Sequence, residues 1–536
     1  MTSTLSDDAI REQVAAFEEQ LRRQLGVSQQ EIRHFKRPEE LPFTADERDR
    51  VTILFGGLTR THDDVLKAAA EGLGYRVQDL PTPDNESLAI GKEYGNRGQC
   101  NPTYYTVGNL VKYLQRLRQA GVQDIEQKYV FITAGACGPC RFGMYEAEYR
   151  KALRDAGFDR FRVLIFQQSG GLESSGKLGE GQKEAGIRLD ANFFLTMLRA
   201  VIASDLVNAL AYAIRPYEVE PGATDRALAE ARAVLADAFR HRRSVWRALR
   251  RIRDVYNAVE VDFTRVKPKV KITGEFWAQT TEGDGSYRLP SWLESEGAEV
   301  LTEPVGTWID YILWSGIVKQ RDRLGLRPGA RKRLIALHAG LRVYKLLYTF
   351  YRSALNFRTP PLISQKKLAE VSDDYYNVRI GGGEGHMEVG KHILAILEKK
   401  AHMVTSIKPF GCMPSTQSDG VQSKVVSKLK DSIFIPIETS GDGEVNVKSR
   451  VQMKLFEAKV RAREELQRAL DEHGVTLEEV QAYVAHRPEL RRPMQRLPHL
   501  YVGTAANFVA KVAARMGKKR RRPSPPREER GMRSEE

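Results

Sequence analysis

The chain has 536 residues, 41% of them hydrophobic, and a formal net charge of +15. That length exceeds what one hydrophobic core serves, so several domains are expected. Four cysteines in so long a chain exclude a disulfide-stapled scaffold and point to a reducing compartment, which reads as cytoplasmic.

Residues 1–45 open with mixed charge and no apolar h-region, which predicts a surface helix rather than a secretory signal. Val51–Gly57 is a short apolar run and Asp63–Leu73 has helical spacing, a first β–α unit. The pattern recurs as strand Arg76–Leu80, helix Pro102–Ala120, strand Tyr129–Thr133, helix Phe142–Ala156 and strand Phe161–Gln167. Such alternation implies a parallel sheet covered on both faces, a doubly wound Rossmann-like domain over residues 46–180. Residues 181–265 carry helical patterns without a strand and read as a helical insert. Its apolar run Phe193–Ala213 is interrupted by Arg199, Asp205 and Asn208, short of the roughly 20 apolar residues of a spanning helix.

Alternation returns over residues 266–445. Strands are expected at Lys269–Thr273, Glu299–Leu301, Met403–Ile407 and Ser432–Ile437, and helices at Leu289–Glu296, from Thr307, at Arg333–Asn356, Met387–Lys399 and Gln417–Leu429. This is a second Rossmann-like domain, so the fold class is α/β with two doubly wound sheets. Residues 446–515 read as a C-terminal helical region, with the long helix Val451–Glu472 and then a stretch loosened by Pro488, Pro493 and Pro498. Residues 516–536 form a basic tail, with Lys518–Arg522 followed by prolines, too poor in apolar surface to order itself. A second basic stretch, His241–Arg253, lies on a predicted helix. Because part of the positive charge sits in that tail, the expectation is solvated basic faces, with neither nucleic acid nor membrane as partner.

The cysteines carry the chemistry. Cys137 and Cys140 form a Cys-Gly-Pro-Cys segment between a predicted strand and helix. Cys100 precedes a helix through Asn101-Pro102, where proline suits the first turn, and Cys412 follows the strand at Met403–Ile407. All four thus fall at strand carboxyl ends or helix amino ends, where a doubly wound sheet collects ligands and helix dipoles favour thiolates. An isolated cysteine is ordinarily a small buried hydrophobe. A four-cysteine zinc site usually comes as two close pairs, and only one is present. A thiol–disulfide oxidoreductase using Cys137 and Cys140 fits their spacing, and an iron–sulfur cluster accepts thiolates from distant points of a chain.

Several motifs in order resemble one family. They include Gly56-Gly57-Leu58-Thr59 with His62, Gln99-Cys100-Asn101-Pro102, Gly138-Pro139-Cys140-Arg141-Phe142-Gly143 with Tyr145, and Ile272-Thr273-Gly274-Glu275. Gly383-Glu384-Gly385-His386 and Pro409-Phe410-Gly411-Cys412-Met413-Pro414 continue the run. Over roughly residues 51–457 the chain is similar to the dehydratase-like, cluster-bearing region of the activase-related proteins in the 2-hydroxyacyl-CoA dehydratase superfamily. The resemblance implies two Rossmann-like domains with an iron–sulfur cluster, most simply four-iron and four-sulfur, in the cleft between them. Cys100, Cys140 and Cys412 occupy the matching ligand positions, whereas Cys137 stands where those relatives carry a small or polar residue.

The resemblance also implies an ATP-dependent activase protein as partner, an acyl-CoA substrate and low-potential electron or radical dehydration chemistry, the work of a lyase. It leaves open a non-catalytic electron-transfer or scaffold role, and a homodimer sharing a larger cluster. No phosphate-binding loop of its own is found. Gly383 and Gly385 are expected to line the cleft, and Glu275 and His386 are the candidate acid–base residues.

Overall fold

The computed structural model describes residues 7–25, 42–135, 140–167, 171–173, 185–381, 385–518 and 520. It divides into two units, residues 1–39 and 40–536. The first holds the helix Asp7–Leu25, whose described side chains, Val14, Phe17 and Leu21 among them, are exposed.

The second unit contains two sheets. Strands β1 (Thr52–Phe55), β2 (Val77–Asp79), β3 (Tyr129–Gly135), β4 (Arg162–Gln167) and β5 (Gly171–Glu173) lie in the order β2-β1-β3-β4-β5. The first four are parallel, with Ile53 beside Val77 and Phe131 beside Val163, and β5 returns antiparallel on β4. Strands β6 (Lys269–Gly274), β7 (Glu299–Leu301), β8 (Met403–Pro409) and β9 (Ile433–Thr439) form the second sheet, all parallel, in the order β7-β6-β8-β9. Both Rossmann-like sheets therefore place their strands 2-1-3-4 and reverse direction of winding between the first and third strand. Every residue of β8 is buried, as expected for a central parallel strand covered on two faces.

Pro102 in the first turn and Gly121 (φ +79°) just past the carboxyl end bound the helix Asn101–Gln119. It crosses the helix Asn85–Tyr94 at two glycines. A Cβ on Gly108 would lie 1.9 Å from the Ser87 carbonyl oxygen, and one on Gly91 would lie 1.9 Å from that of Tyr104. Only hydrogen side chains permit this approach, and the crossing fixes where the helix that follows Cys100 begins. The helix Asn85–Tyr94 is absent from the sequence expectation. It rests on a capping box at Asp84 and on the glycine contact rather than on a strong apolar stripe.

The insert folds as helices Ala191–Ile214, Ala223–Arg240 and Val245–Ala258. His241–Arg243 lies in the turn before the third helix rather than on it. Its core is not separate, since Leu206, Leu235 and Ile252 share one cluster with Tyr344, Leu470 and Phe508. The chain after Pro498 is correspondingly not loose. Helix Thr504–Arg515 is almost wholly buried in that shared core, where tertiary packing overrides the neighbouring prolines. By length and composition the segment Ala191–Tyr217 is apolar enough to cross a membrane, contrary to the sequence reading, and 56% of its most apolar window is buried within the fold. Of the basic tail, Lys518 and Arg520 are described, and Arg520 bonds Glu472 at 2.8 Å. Residues 519 and 521–536 lie outside the described residues.

Candidate functional site

In a sheet of order 2-1-3-4 the ends of the first and third strands diverge, which opens a crevice for ligands at their carboxyl ends. In the first sheet that position is flanked by Thr59 and His62 after β1 and by Cys140 after β3. In the second it is flanked by Glu275 after β6 and Cys412 after β8.

Each described cysteine is the residue just before a helix: Cys100 before Asn101–Gln119, Cys140 before the short 3-10 turn Arg141–Met144, and Cys412 before Met413–Lys428. None caps its helix through its side chain. All three are thiols rather than disulfides; Cys100 and Cys412 are buried and Cys140 is partly accessible. Helix amino ends carry partial positive charge, which at the starts of the two full helices lies beside Cys100 and Cys412.

Arg141 brings the three loops together. Its guanidinium donates to the Gly98 carbonyl, two residues before Cys100. Its Nη1 would also lie 3.8 Å from a Cβ built on Gly411, one residue before Cys412. A second tie runs from Asn101 Nδ2 to the Thr439 carbonyl at the end of β9, 2.5 Å. Loops at the ligand edges of both sheets are thus tied together, across more than three hundred positions of sequence.

The Cys100 sulfur has two hydroxyls within reach, Tyr145 Oη at 3.3 Å and Thr103 Oγ1 at 3.4 Å. The Tyr145 hydroxyl is held well above its ordinary range by burial first, then by the charges of Cys100 and Glu275. Glu275 is thereby within electrostatic reach of the thiol side. Its backbone N–H donates to the Ile407 carbonyl at 2.9 Å, an approach that requires Gly274 (φ +125°), whose Cβ would otherwise lie 1.9 Å from that oxygen. Its carboxylate caps the helix Phe276–Thr280, accepting from Ala278 N at 2.8 Å. Burial pushes this carboxyl up to about 7 despite that hydrogen bond, with the neighbouring charge of Glu388 adding to the rise. Glu388 is buried and raised by the same cause while it accepts from Ser406 and Ser418. Lys408, lowered by burial, is countered by the charges of Glu388, Glu438 and Cys412.

The remaining expected residues divide. Cys137 and Gly383 lie outside the described residues. Gly385 begins the helix Gly385–Leu397 with φ +28° against the Tyr376 ring. His386 is buried between the rings of Tyr311 (5.8 Å) and Trp314 (5.6 Å), and among the described residues neither of its nitrogens has a hydrogen-bond partner. Burial, and then Lys391, push it down to about 4, so at neutral pH it is uncharged. No hydrogen bond or ring contact among the described residues joins it to the cysteine loops.

Sequence reasoning missed Lys408 and Glu388 as site residues, and it quoted Tyr145 only as part of a motif. It also missed a buried chain beside the cleft, Thr59 Oγ1 to His62 Nδ1 (2.7 Å) and His62 Nε2 to Asp205 Oδ1 (3.1 Å). Asp205 further accepts from the backbone N–H groups of Val305 and Gly306, 2.8 Å each. The chain lines a cavity of about 40 Å³ with Asn208 and Gln279. The one signal for it was an aspartate in the middle of an apolar helix.

Among the described residues no three His, Cys, Asp or Glu side chains surround one point as a single ion requires. The donor set, thiols arriving from separate helix ends with hydroxyl donors behind one of them, suits a multi-iron cluster that takes thiolates at separate corners. Neither a scan of protein-family models nor a search of curated proteins returns a match to this chain.

Proposed function

We propose that the chain is an iron–sulfur protein of the 2-hydroxyacyl-CoA dehydratase type, with Cys100, Cys140 and Cys412 as the thiolates that would hold a four-iron, four-sulfur cluster. The observation that supports this most is the reach of Arg141 from the Cys140 loop to the Gly98 carbonyl and to Gly411. It ties the loop of Cys140 to that of Cys100 and lies beside the loop of Cys412.

When bound, such a cluster supplies low-potential one-electron transfer, and an iron without a thiolate offers a position for a substrate oxygen. The protein's own groups do the rest. Tyr145 and Thr103 present hydroxyls to the Cys100 sulfur, and Lys408 places positive charge near Cys412. Glu275, raised to about 7, exchanges a proton readily at neutral pH, as removal of water from an acyl-CoA demands. An ATP-dependent activase is the electron donor that this reading implies.

Protein purified without oxygen is expected to be brown, with broad visible absorption and iron in stoichiometric amount. Its electron paramagnetic resonance, after low-potential reduction, should change on addition of a 2-hydroxyacyl-CoA. A signal indifferent to thioesters but responsive to a partner protein would make the chain an electron carrier. Colourless, iron-free protein that reduces insulin disulfides would replace the proposal with thiol chemistry at Cys137 and Cys140.

A further inference from the structure

The helix Gly306–Asp322, a short turn and the helix Ala330–Ala354 form a hairpin that the cysteine cleft does not use. Between Lys319 and Lys345 it carries nine Lys and Arg against one acidic residue, Asp322, which is already paired with Arg379 at 2.6 Å. Arg327, Arg331, Lys332, Arg333 and Arg342 are exposed, and none has a carboxylate partner among the described residues. The same surface is apolar. Leu326 at the turn is 78% exposed, and along the second helix Ile335 (64%), Leu346 (69%) and Phe350 point outward with Val343.

Their spacing puts these side chains on one stripe, about 22 Å long at 1.5 Å per residue. The opposite face is anchored. Tyr344, Tyr348 and Tyr351 are buried, and Tyr344 Oη donates to the Gly306 carbonyl at 2.7 Å. The stripe is thus a face held outward by a packed helix.

We propose that this hairpin binds the surface of an anionic lipid bilayer, its leucine tip and apolar stripe entering the headgroup layer while the flanking Arg and Lys pair with lipid phosphates and carboxylates. The charge requires an anionic occupant. The apolar residues project instead of lining a groove, which suits a deformable interface better than a protein partner, whose surface would need matching cavities. Most of them are aliphatic, which does not suit nucleic acid, where bases stack on aromatic rings. The inference is independent of the cluster and departs from the sequence expectation of no membrane partner.

The test is co-sedimentation of the full chain with vesicles of phosphatidylcholine, with and without phosphatidylserine, at low and high salt. Binding is expected only with phosphatidylserine and should weaken as salt rises. The double variant Leu326→Ser, Leu346→Ser and the triple variant Arg331→Glu, Lys332→Glu, Arg333→Glu should each bind at least about tenfold less. A control reversal on another surface, Arg463→Glu with Arg468→Glu, should bind as the parent does. All of these residues are largely solvated, so melting temperatures should match. Absence of the parent from phosphatidylserine pellets would overturn the proposal. So would a doubled mass in solution that the leucine variant abolishes, which would assign the face to a second copy. Retention on DNA that survives the leucine changes, with no vesicle binding, would assign it to nucleic acid.

Discussion

The two sheets share a strand order, yet their ligand edges are furnished differently. The first contributes Cys100, with the hydroxyls of Thr103 and Tyr145 behind it, and Cys140 beside the Arg141 guanidinium. The second contributes Glu275, Glu388 and Lys408 around a single thiol, Cys412, a lining of buried ionisable groups. One topology repeated twice therefore carries two differently furnished edges, and on the proposed function the first would hold sulfur and the second would move protons. The side chains just beyond the strand ends decide which.

The largest effect should come from breaking the thiol half. Cys100→Ser, Cys140→Ser and Cys412→Ser are each expected to lose the bound iron, while Cys137→Ser keeps it, measured as iron per chain after anaerobic purification. Equal loss in all four would make Cys137 a ligand, leave no open iron and turn the reading toward electron transfer. The next effect is mechanical. Gly108→Val would drive its Cβ into the Ser87 carbonyl and the Gly91 backbone. Such overpacking costs about 3 kcal/mol or more, because backbone cannot yield as a side chain can. Thermal unfolding should fall by several degrees and iron should be retained poorly, since the helix after Cys100 moves, whereas Glu275 and its surroundings stay in place.

How much of this was legible depends on distance along the chain. The strands were legible because short β-branched runs alternate with helical spacing, and Cys100 was placed correctly by the Asn101-Pro102 helix start. Helix Asn85–Tyr94 was not, because its stability comes from a glycine crossing and a cap and not from an apolar stripe. Helix Thr504–Arg515 was hidden behind prolines, and only its burial against the insert explains it. The edge position of each described cysteine could be inferred locally. The tie between the Cys100 loop and the second sheet could not, because Arg141 and Asn101 make it through tertiary contacts. Glu388 gave no local signal at all; its role exists only once Ser406 and Ser418 face it.

The carboxylate half can be tested alone through pH. Glu275 is raised in the folded protein from about 4.5 to about 7, so its protonated form is the one the fold favours. Its contribution is fully present below pH 4.5 and is lost as pH rises through 7. The parent should therefore lose of order 2 kcal/mol of stability across that window from this group, and Glu275→Gln, neutral throughout, should lose less. The difference would appear in urea melts collected at a series of pH values. A parent and variant with parallel pH profiles would show that Glu275 is ionised at no cost, and would remove it as the proton-exchanging group.

The smallest expected effect is also the one that separates the two halves most finely. Tyr145 joins them, since its hydroxyl reaches the Cys100 sulfur at 3.3 Å and also feels the charge of Glu275. A hydroxyl donated to a ligating thiolate withdraws electron density from it and so favours the reduced, more negative cluster. Tyr145→Phe keeps the ring and its packing against Phe142 but removes that donor. Iron content and melting temperature should stay near the parent's, and the midpoint potential of the cluster should move to a more negative value in a spectroelectrochemical titration. Thr103, the second donor, remains, so the shift should be smaller than in the variant that also carries Thr103→Val. An unchanged potential in both variants would mean that neither hydroxyl donates to a ligating sulfur, and Cys100 would then lose its place in the thiolate set.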